Sequence, residues 1–177
     1  MKKLTLPLTY EERRSLRAGE MVLLSGKVYT ARDAAHKRLH EMLMNGEELP
    51  VDLHDACIYY VGPTPAKEGQ AIGSAGPTTS SRMDPYTPEL IRHGLRGMIG
   101  KGYRSEEVKE AIRQYDAVYF VTIGGAGALL SHCIKERRMV AFEDLLAEAL
   151  TELYVEDFPC YVGIDVYGND IYDPDEA

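Results

Sequence analysis

Residues 73–84 read Gly73-Ser74-Ala75-Gly76-Pro77-Thr78-Thr79-Ser80-Ser81-Arg82-Met83-Asp84 and gather groups suited to holding a small anion. The glycines and the proline force an irregular backbone path. Four consecutive hydroxyls follow, then an arginine that stays charged at any working pH, then a carboxylate. Burying such a segment is costly unless something polar fills it. Hydroxyls, backbone N–H groups and one guanidinium together suit a carboxylate or similar anion. The competing reading is an ordinary polar turn whose Thr and Ser residues cap the next helix.

Further cations stand in places where they could share that work. Arg32 precedes a helical pattern and follows a strand-like run. A helix N-terminus attracts anions through its free N–H groups and its dipole. An arginine there is poorly placed for helix stability but well placed to grip a carboxylate with two parallel donors. Asp33, the next residue, suits the dipole directly. Lys101 lies between Gly100 and Gly102, which let backbone approach a ligand and leave the ammonium unobstructed. The bland alternatives are a surface arginine paired with an acid and a solvated turn lysine.

Other motifs carry less. His36 and His40 have the spacing of a two-histidine metal site, but no Glu follows His36 as a zinc protease requires, so helix surface or core is expected. Gly124-Gly125-Ala126-Gly127 follows a strand-like run and opens a helix. Leu130 stands where the third glycine of a dinucleotide loop would fall, which favours simple close packing. Cys57, Cys133 and Cys160 are far apart, form no CxxC pair and each have apolar neighbours. Buried structural thiols are expected, with no disulfide framework and no metal ligands in this chain.

The elements that must position these groups can be read in order. Residues 4–8 form a short edge strand, since Pro7 disfavours a sheet interior. Thr9 and Glu12 have capping-box spacing and open a short helix stopped by Gly19. Residues 21–24 and 27–30 read as two short strands about a Ser25-Gly26 turn. Ala35, Leu39 and Leu43 mark a helix over 32–44 that ends at Asn45-Gly46. Buried strands are predicted over 56–61 and 117–123, and a short strand near 97–102 delivers Lys101.

Helices open at Thr87-Pro88-Glu89, with Thr87 as N-cap, and at Ser105. A further helix is predicted from the Gly124 loop through Cys133 and Ile134, then a strand over 139–142 and a short helix over 145–150. Residues 160–166 and 170–172 are predicted to pair as a hairpin around Tyr167-Gly168-Asn169. Alternating strands and helices in the middle, with hairpins at both ends, indicate a mixed α/β domain with some parallel pairing. No linker or repeat divides residues 1–177, so a single domain is expected.

Composition narrows the functional classes. The formal net charge is −8, and eleven acidic residues lie between Glu143 and Glu176, with no Lys or Arg after Met139. No basic block suits nucleic acid. An anionic substrate must be attracted by a local cluster of cations rather than by the whole molecule. No apolar run reaches the roughly 20 residues of a membrane span. The charged Glu11-Glu12-Arg13-Arg14 leaves no room for a signal-peptide core, so a cytoplasmic location is expected.

Residues 76–84 resemble the GPTTSxRMD signature of the C-terminal region of iron–sulfur-dependent class I fumarases and tartrate dehydratases. In two-subunit members this region is a separate β chain. The resemblance also takes in Leu16-Arg17-Ala18-Gly19-Glu20, Leu24-Ser25-Gly26 and Ala31-Arg32-Asp33-Ala34-Ala35-His36-Lys37-Arg38. It continues through Gly62-Pro63-Thr64-Pro65, Ile99-Gly100-Lys101-Gly102, Gly124-Gly125-Ala126 and Val155-Glu156-Asp157-Phe158-Pro159.

The resemblance implies a three-layer β/β/α swivelling domain with a mixed sheet and terminal hairpins. It implies a hydro-lyase β subunit that interconverts fumarate and malate together with an α subunit, in an α2β2-type assembly. That α subunit would carry a 4Fe–4S cluster whose open iron acts as a Lewis acid. Within this chain the resemblance assigns Arg32, Arg82 and Lys101 to the dicarboxylate clamp and Thr78 to proton transfer at the substrate carbon. Thr79 and Ser80 are expected to hydrogen-bond substrate or backbone. L(+)-tartrate dehydratase is the nearer alternative, and a non-catalytic anion-binding or assembly module is the more distant one.

Overall fold

Strand β2 (Met21–Thr30) runs unbroken through Ser25-Gly26, where a turn between two strands was expected. Gly26 adopts φ 127° and absorbs a bulge, so the pairing register shifts between Leu24 and Gly26 while the strand continues. The bulge brings the backbone against Leu6, whose N–H donates to the Ser25 carbonyl at 2.7 Å. The computed structural model describes residues 1–62, 68–69, 71–73, 75–122 and 127–173.

The elements follow in order. Strand β1 (Lys2–Thr5) and helix α1 (Tyr10–Ser15) precede β2, and α2 (Asp33–Met44) follows it. Next come β3 (Cys57–Tyr59), a 3-10 turn (Ser80–Met83), α3 (Thr87–Arg92), β4 (Gly97–Gly100), α4 (Glu106–Tyr115) and β5 (Val118–Val121). The chain closes with α5 (Gly127–Ser131), β6 (Ile134–Ala141), a second 3-10 segment (Glu143–Glu148) and β7 (Leu150–Ile164).

Strands β2, β3, β4 and β5 lie side by side and parallel. The long β7 runs antiparallel to both β2 and β5 and closes them into a five-stranded mixed barrel. Strands β1 and β6 attach outside it, on β2 and β7 respectively. Side-chain alternation divides the strands between two cores. One face of the barrel strands packs Val22, Leu24, Tyr59, Ile99, Phe120, Leu153 and Val162 together. The other packs Ile58, Tyr60, Met98, Tyr119 and Val121 against Leu39 of α2, Leu90 of α3 and Ile112 of α4. The first core is therefore the barrel interior, and the second is the layer between barrel and helices.

Several local expectations are corrected. The N-terminal hairpin about Ser25-Gly26 is absent, because residues 21–30 form one continuous strand; β1 pairs parallel to it and is joined to it through α1. At the C-terminal end, the pairing of 160–166 with 170–172 reduces to one bridge, Ile164 with Asp170. The real partners of residues 160–164 are β2 and β5, both antiparallel, while β6 pairs with the earlier part of β7, residues 150–155. The acidic and proline-containing stretch Glu156-Asp157-Phe158-Pro159 belongs to β7, since Asp157 takes a positive φ of 49° and the strand passes through it.

Ile134 opens β6 rather than ending a helix, and Leu150 opens β7. Tyr86, not Thr87, is the N-cap of α3; the Thr87 hydroxyl donates to the Met83 carbonyl at 2.8 Å instead. The capping box at Thr9 forms as expected, with Glu12 N–H on Thr9 Oγ1 at 3.1 Å and Thr9 N–H on Glu12 Oε1 at 3.0 Å.

Candidate active site

Four parallel neighbours place four strand ends along one rim, and the residues that follow those ends carry the polar groups. In open parallel sheets such carboxyl ends are where ligands bind. Arg32 caps α2 just after β2, with extended φ −108° and ψ −158°. Its carbonyl accepts from His36 N–H at 2.9 Å and lies 2.9 Å from His36 Nδ1. A carbonyl cannot donate, so His36 carries its proton on Nδ1. Burial lowers the His36 pKa to about 4, so the ring is neutral at pH 7.

The Arg32 guanidinium packs on the end of β3. A Cβ at Gly62 would collide with Arg32 Nη1 and lie 2.9 Å from its Cδ. A side chain at 62 would therefore displace the Arg32 guanidinium from this position. Arg32 Nε is buried and has no hydrogen-bond partner among the described residues. Three more side-chain atoms share that condition: Asp33 Oδ1, His36 Nε2 and Thr122 Oγ1. All four belong to residues just past the ends of β2 and β5. Buried polar atoms are normally paired, so this rim has capacity that the described residues leave unmet.

Asp33 joins Arg32's neighbourhood to the hydroxyl-rich segment. Its Oδ2 accepts from Arg82 Nη2, which fixes one edge of the Arg82 guanidinium. The Arg82 side chain is 51% exposed, and among the described residues its remaining donors are open to an incoming group. Thr78 sits between these points. Its N–H donates to the Tyr60 carbonyl at 2.7 Å, and Pro77 bridges Val61. The Thr78 side chain is half-buried and Thr79 is exposed.

Lys101 follows β4 and is tied to the same segment through a parallel bridge with Thr79. The Ser80 N–H donates to the Lys101 carbonyl at 2.9 Å, and the Lys101 N–H donates to Ser80 Oγ at 2.9 Å. The Lys101 residue is exposed, whereas Ser80 is fully buried. Arg32, Thr78, Thr79, Arg82 and Lys101 therefore gather on one rim, with Ser80 beneath them. Three cations stand there with the carboxylate of Asp33, and Glu148 Oε1 accepts from Ala34 N–H at 3.2 Å at the same helix start, which leaves a local positive balance among the described residues.

Sequence reasoning missed the support under this rim. The Arg104 side chain is completely buried and donates from Nε to Asp84 Oδ1 at 2.7 Å. Asp84 Oδ2 accepts from Ser105 N–H at 2.7 Å. Arg104 Nη2 reaches Tyr60 Oη at 3.2 Å and Thr87 Oγ1 at 3.1 Å. Its guanidinium lies 5.1 Å from the Tyr60 ring centroid and 4.8 Å from that of Tyr119. A buried cation needs this degree of pairing. The one signal in the sequence was Asp84 at the end of the hydroxyl-rich segment; nothing marked Arg104 as its partner.

The remaining candidates fall outside the rim. His40 packs edge-on to Tyr86 at 5.7 Å, and among the described residues no three His, Cys, Asp or Glu side chains cluster as metal ligands. Cys57 and Cys160 are buried in the barrel core, where burial pushes the Cys57 thiol up to about 12 and the Cys160 thiol well above its usual value. Such thiols resist the deprotonation that an iron–sulfur ligand needs. These residues do not fit a 4Fe–4S cluster. Pro63-Thr64-Pro65 and Gly124-Gly125-Ala126 lie outside the described residues. Among the described residues no helix is long and apolar enough to cross a membrane.

Comparison with known proteins identifies the family. Residues 2–174 match the family model described as the fumarase C-terminus. The chain is 40% identical over 172 residues to a Methanocaldococcus jannaschii protein provisionally named L(+)-tartrate dehydratase subunit beta, covering 94% of this chain and 88% of that one. It is 42% identical over 156 residues to fumarate hydratase 2 of Leishmania major, covering 87% of this chain and 28% of that enzyme. It is 41% identical over 151 residues to the aerobic class I fumarate hydratase of Escherichia coli, covering 84% of this chain and again 28% of the relative. The chain spans little more than a quarter of those two fumarate hydratases. It belongs to the fumarase C-terminal domain family, within the class I fumarate hydratase and tartrate dehydratase hydro-lyases.

Proposed function

We propose that this chain is the β subunit of a two-chain hydro-lyase that reversibly hydrates fumarate to L-malate. The observation that carries the reading is the rim itself: a buried Arg32 Nε without a partner among the described residues, beside Arg82 and Lys101. A dicarboxylate brings two negative charges, and the three cations outnumber the carboxylates of Asp33 and Glu148 at this rim. The name of the Methanocaldococcus jannaschii relative, a subunit beta of similar length, supports a separate α subunit. The 4Fe–4S cluster is assigned to that α subunit, the assembly to an α2β2 type, and the location to the cytoplasm. Residues 1–177 act as one β/β/α domain that swivels against the α subunit.

In this reading Arg32 and Arg82 each grip a carboxylate through planar, paired donors. Lys101 adds a point charge opposite the carboxylate on which negative charge builds as the carbon is deprotonated. Preorganised charge of this kind is usually the largest single contribution to such a reaction. Thr78 holds its hydroxyl at the reacting carbon, steadied by its own N–H on the Tyr60 carbonyl. A threonine is a poor base unaided, so the final proton acceptor belongs to the α subunit. Ser80 serves the backbone rather than substrate.

Removal of water from L(+)-tartrate is the second reading, and the relative of similar length favours it. The experiment is to co-express the chain with its α subunit, purify the pair without oxygen, and compare rates on fumarate, L-malate and L(+)-tartrate. Faster turnover of tartrate would transfer the assignment. No turnover of any of them by an intact pair would leave an anion-binding or assembly module.

A further inference from the structure

A ring of hydrogen bonds closes behind Lys101. The Lys101 N–H donates to Ser80 Oγ at 2.9 Å. Tyr119 Oη lies 2.7 Å from Ser80 Oγ and 2.8 Å from the Gly102 carbonyl oxygen. A tyrosine hydroxyl has one proton, and a carbonyl can only accept. The Tyr119 proton therefore goes to Gly102, and the Ser80 hydroxyl must donate to Tyr119. The order is then fixed: Lys101 N–H to Ser80, Ser80 O–H to Tyr119, Tyr119 O–H to Gly102. The ring starts at residue 101 and ends at 102, so it clamps the backbone on both sides of that peptide.

The surroundings leave this ring no slack. Ser80 and Tyr119 are both fully buried. A Cβ at Gly100 would collide with Ser80 Oγ and lie 2.7 Å from the Tyr60 ring. Arg104 stacks on Tyr119 and holds Asp84, so the segments carrying Arg82 and Lys101 are joined a second time. The Lys101 side chain is a flexible stem ending in a point charge. Its backbone is the part the fold can fix, and every freedom removed there is one that substrate binding need not remove later.

We propose that Ser80 and Tyr119 are positioning residues for Lys101: their buried ring sets the 101–102 backbone against the segment bearing Thr78 and Arg82. The consequence for activity rests on the reading of Lys101 as a substrate-facing cation. The ring itself does not depend on that reading.

Two measurements test it. The first uses the full chain alone and follows amide hydrogen exchange at Lys101, with β6 amides as reference. Tyr119→Phe and Ser80→Ala should each speed Lys101 exchange at least tenfold while the β6 amides are unchanged. Unchanged exchange at Lys101, or equal acceleration at β6, overturns the proposal. The second uses the pair with its α subunit. Tyr119→Phe should lower kcat/KM about tenfold in the wild-type background and less than twofold in a Lys101→Ala background, because coupled residues are not additive. Equal losses in both backgrounds mark a general structural role and overturn it. If Tyr119→Phe fails to fold, Ser80→Ala decides; failure of both makes the pair a plain core requirement and also overturns it. A wild-type pair inactive on all three substrates defeats the functional reading alone, since the exchange result still stands.

Discussion

Arg82 donates to Asp33 across 49 residues of sequence, tying the one-turn helix at Ser80–Met83 to the first turn of α2. Asp33 thereby orients one edge of a guanidinium whose other edge has no partner among the described residues. The pair is half-exposed, so its own contribution to stability is small, about 0–1 kcal/mol. Its effect is on direction. Arg82→Lys keeps the charge and loses the planar fork, and should cost about 2–4 kcal/mol in kcat/KM for the reconstituted pair. Asp33→Asn should leave the thermal midpoint almost unchanged and raise KM. A near-wild-type kcat/KM for Arg82→Lys would make Arg82 a surface residue.

Thr78 and Arg32 should separate in kinetics. Thr78 stands on a backbone held by Tyr60 and Pro77, steady enough to face a reacting carbon. Arg32 offers charge before and during reaction alike. Thr78→Ala should therefore lower kcat more than it weakens dicarboxylate binding, and Arg32→Ala should harm binding at least as much as turnover. The measurements are kcat, KM and the Kd of an unreactive dicarboxylate. Identical profiles would move the proton-transfer role wholly to the α subunit.

Gly62→Ala tests the site without touching a charged residue. The added Cβ meets Arg32 Nη1 and Cδ, so the guanidinium must move off the end of β3. KM should rise much as in Arg32→Ala, and the double variant should be little worse than either single one. Independent, additive losses would show that Arg32 keeps its function elsewhere on the rim.

His36 should make the chain sensitive to acid. Its pKa is about 4 in the fold and near 6.5 once unfolded. The unfolded state binds more protons between those values, so stability rises with pH across that window and falls on acidification. The full span corresponds to roughly 3 kcal/mol at most. Urea midpoints at pH 7 and pH 5 should differ more in wild type than in His36→Asn, which can still donate to the Arg32 carbonyl. Equal pH dependence in both would place the titrating group elsewhere.

Much of this site could be read from residue order, because local chemistry decides it. Arg32 had to stand at a helix start, since Ala35 and Leu39 begin a helical period immediately after an apolar strand, and α2 begins at Asp33. Lys101 had to follow a short buried strand, and β4 ends at Gly100. Ser80 was different. Its neighbours Thr79 and Ser81 are chemically similar, and only the arrival of Tyr119 and Gly100 from other strands buries it. Arg104 likewise looks like any turn arginine until Asp84, Tyr60 and Tyr119 surround it. The two long strands were misread for the same reason. Ser25-Gly26 and Glu156 to Pro159 carry turn residues, yet β2 and β7 pair with each other through both irregular stretches. Partners across a sheet override local preference.

Closure of the barrel by β7 has a consequence during synthesis. Met21 of β2 pairs with Tyr161 of β7, so one long edge of β2 finds its partner only after 161 − 21 = 140 further residues have been made. At ordinary elongation speeds that wait is roughly 7–30 s. Throughout it β2 is an open hydrogen-bonding template with a half-built apolar interior, the condition under which nascent strands pair with the wrong neighbour. The parallel strands can dock on their helices early, but the ribosome must release β7 before the interior is sealed. Yield in the cell should accordingly respond to growth temperature and chaperone supply more steeply than the stability of the finished fold would suggest.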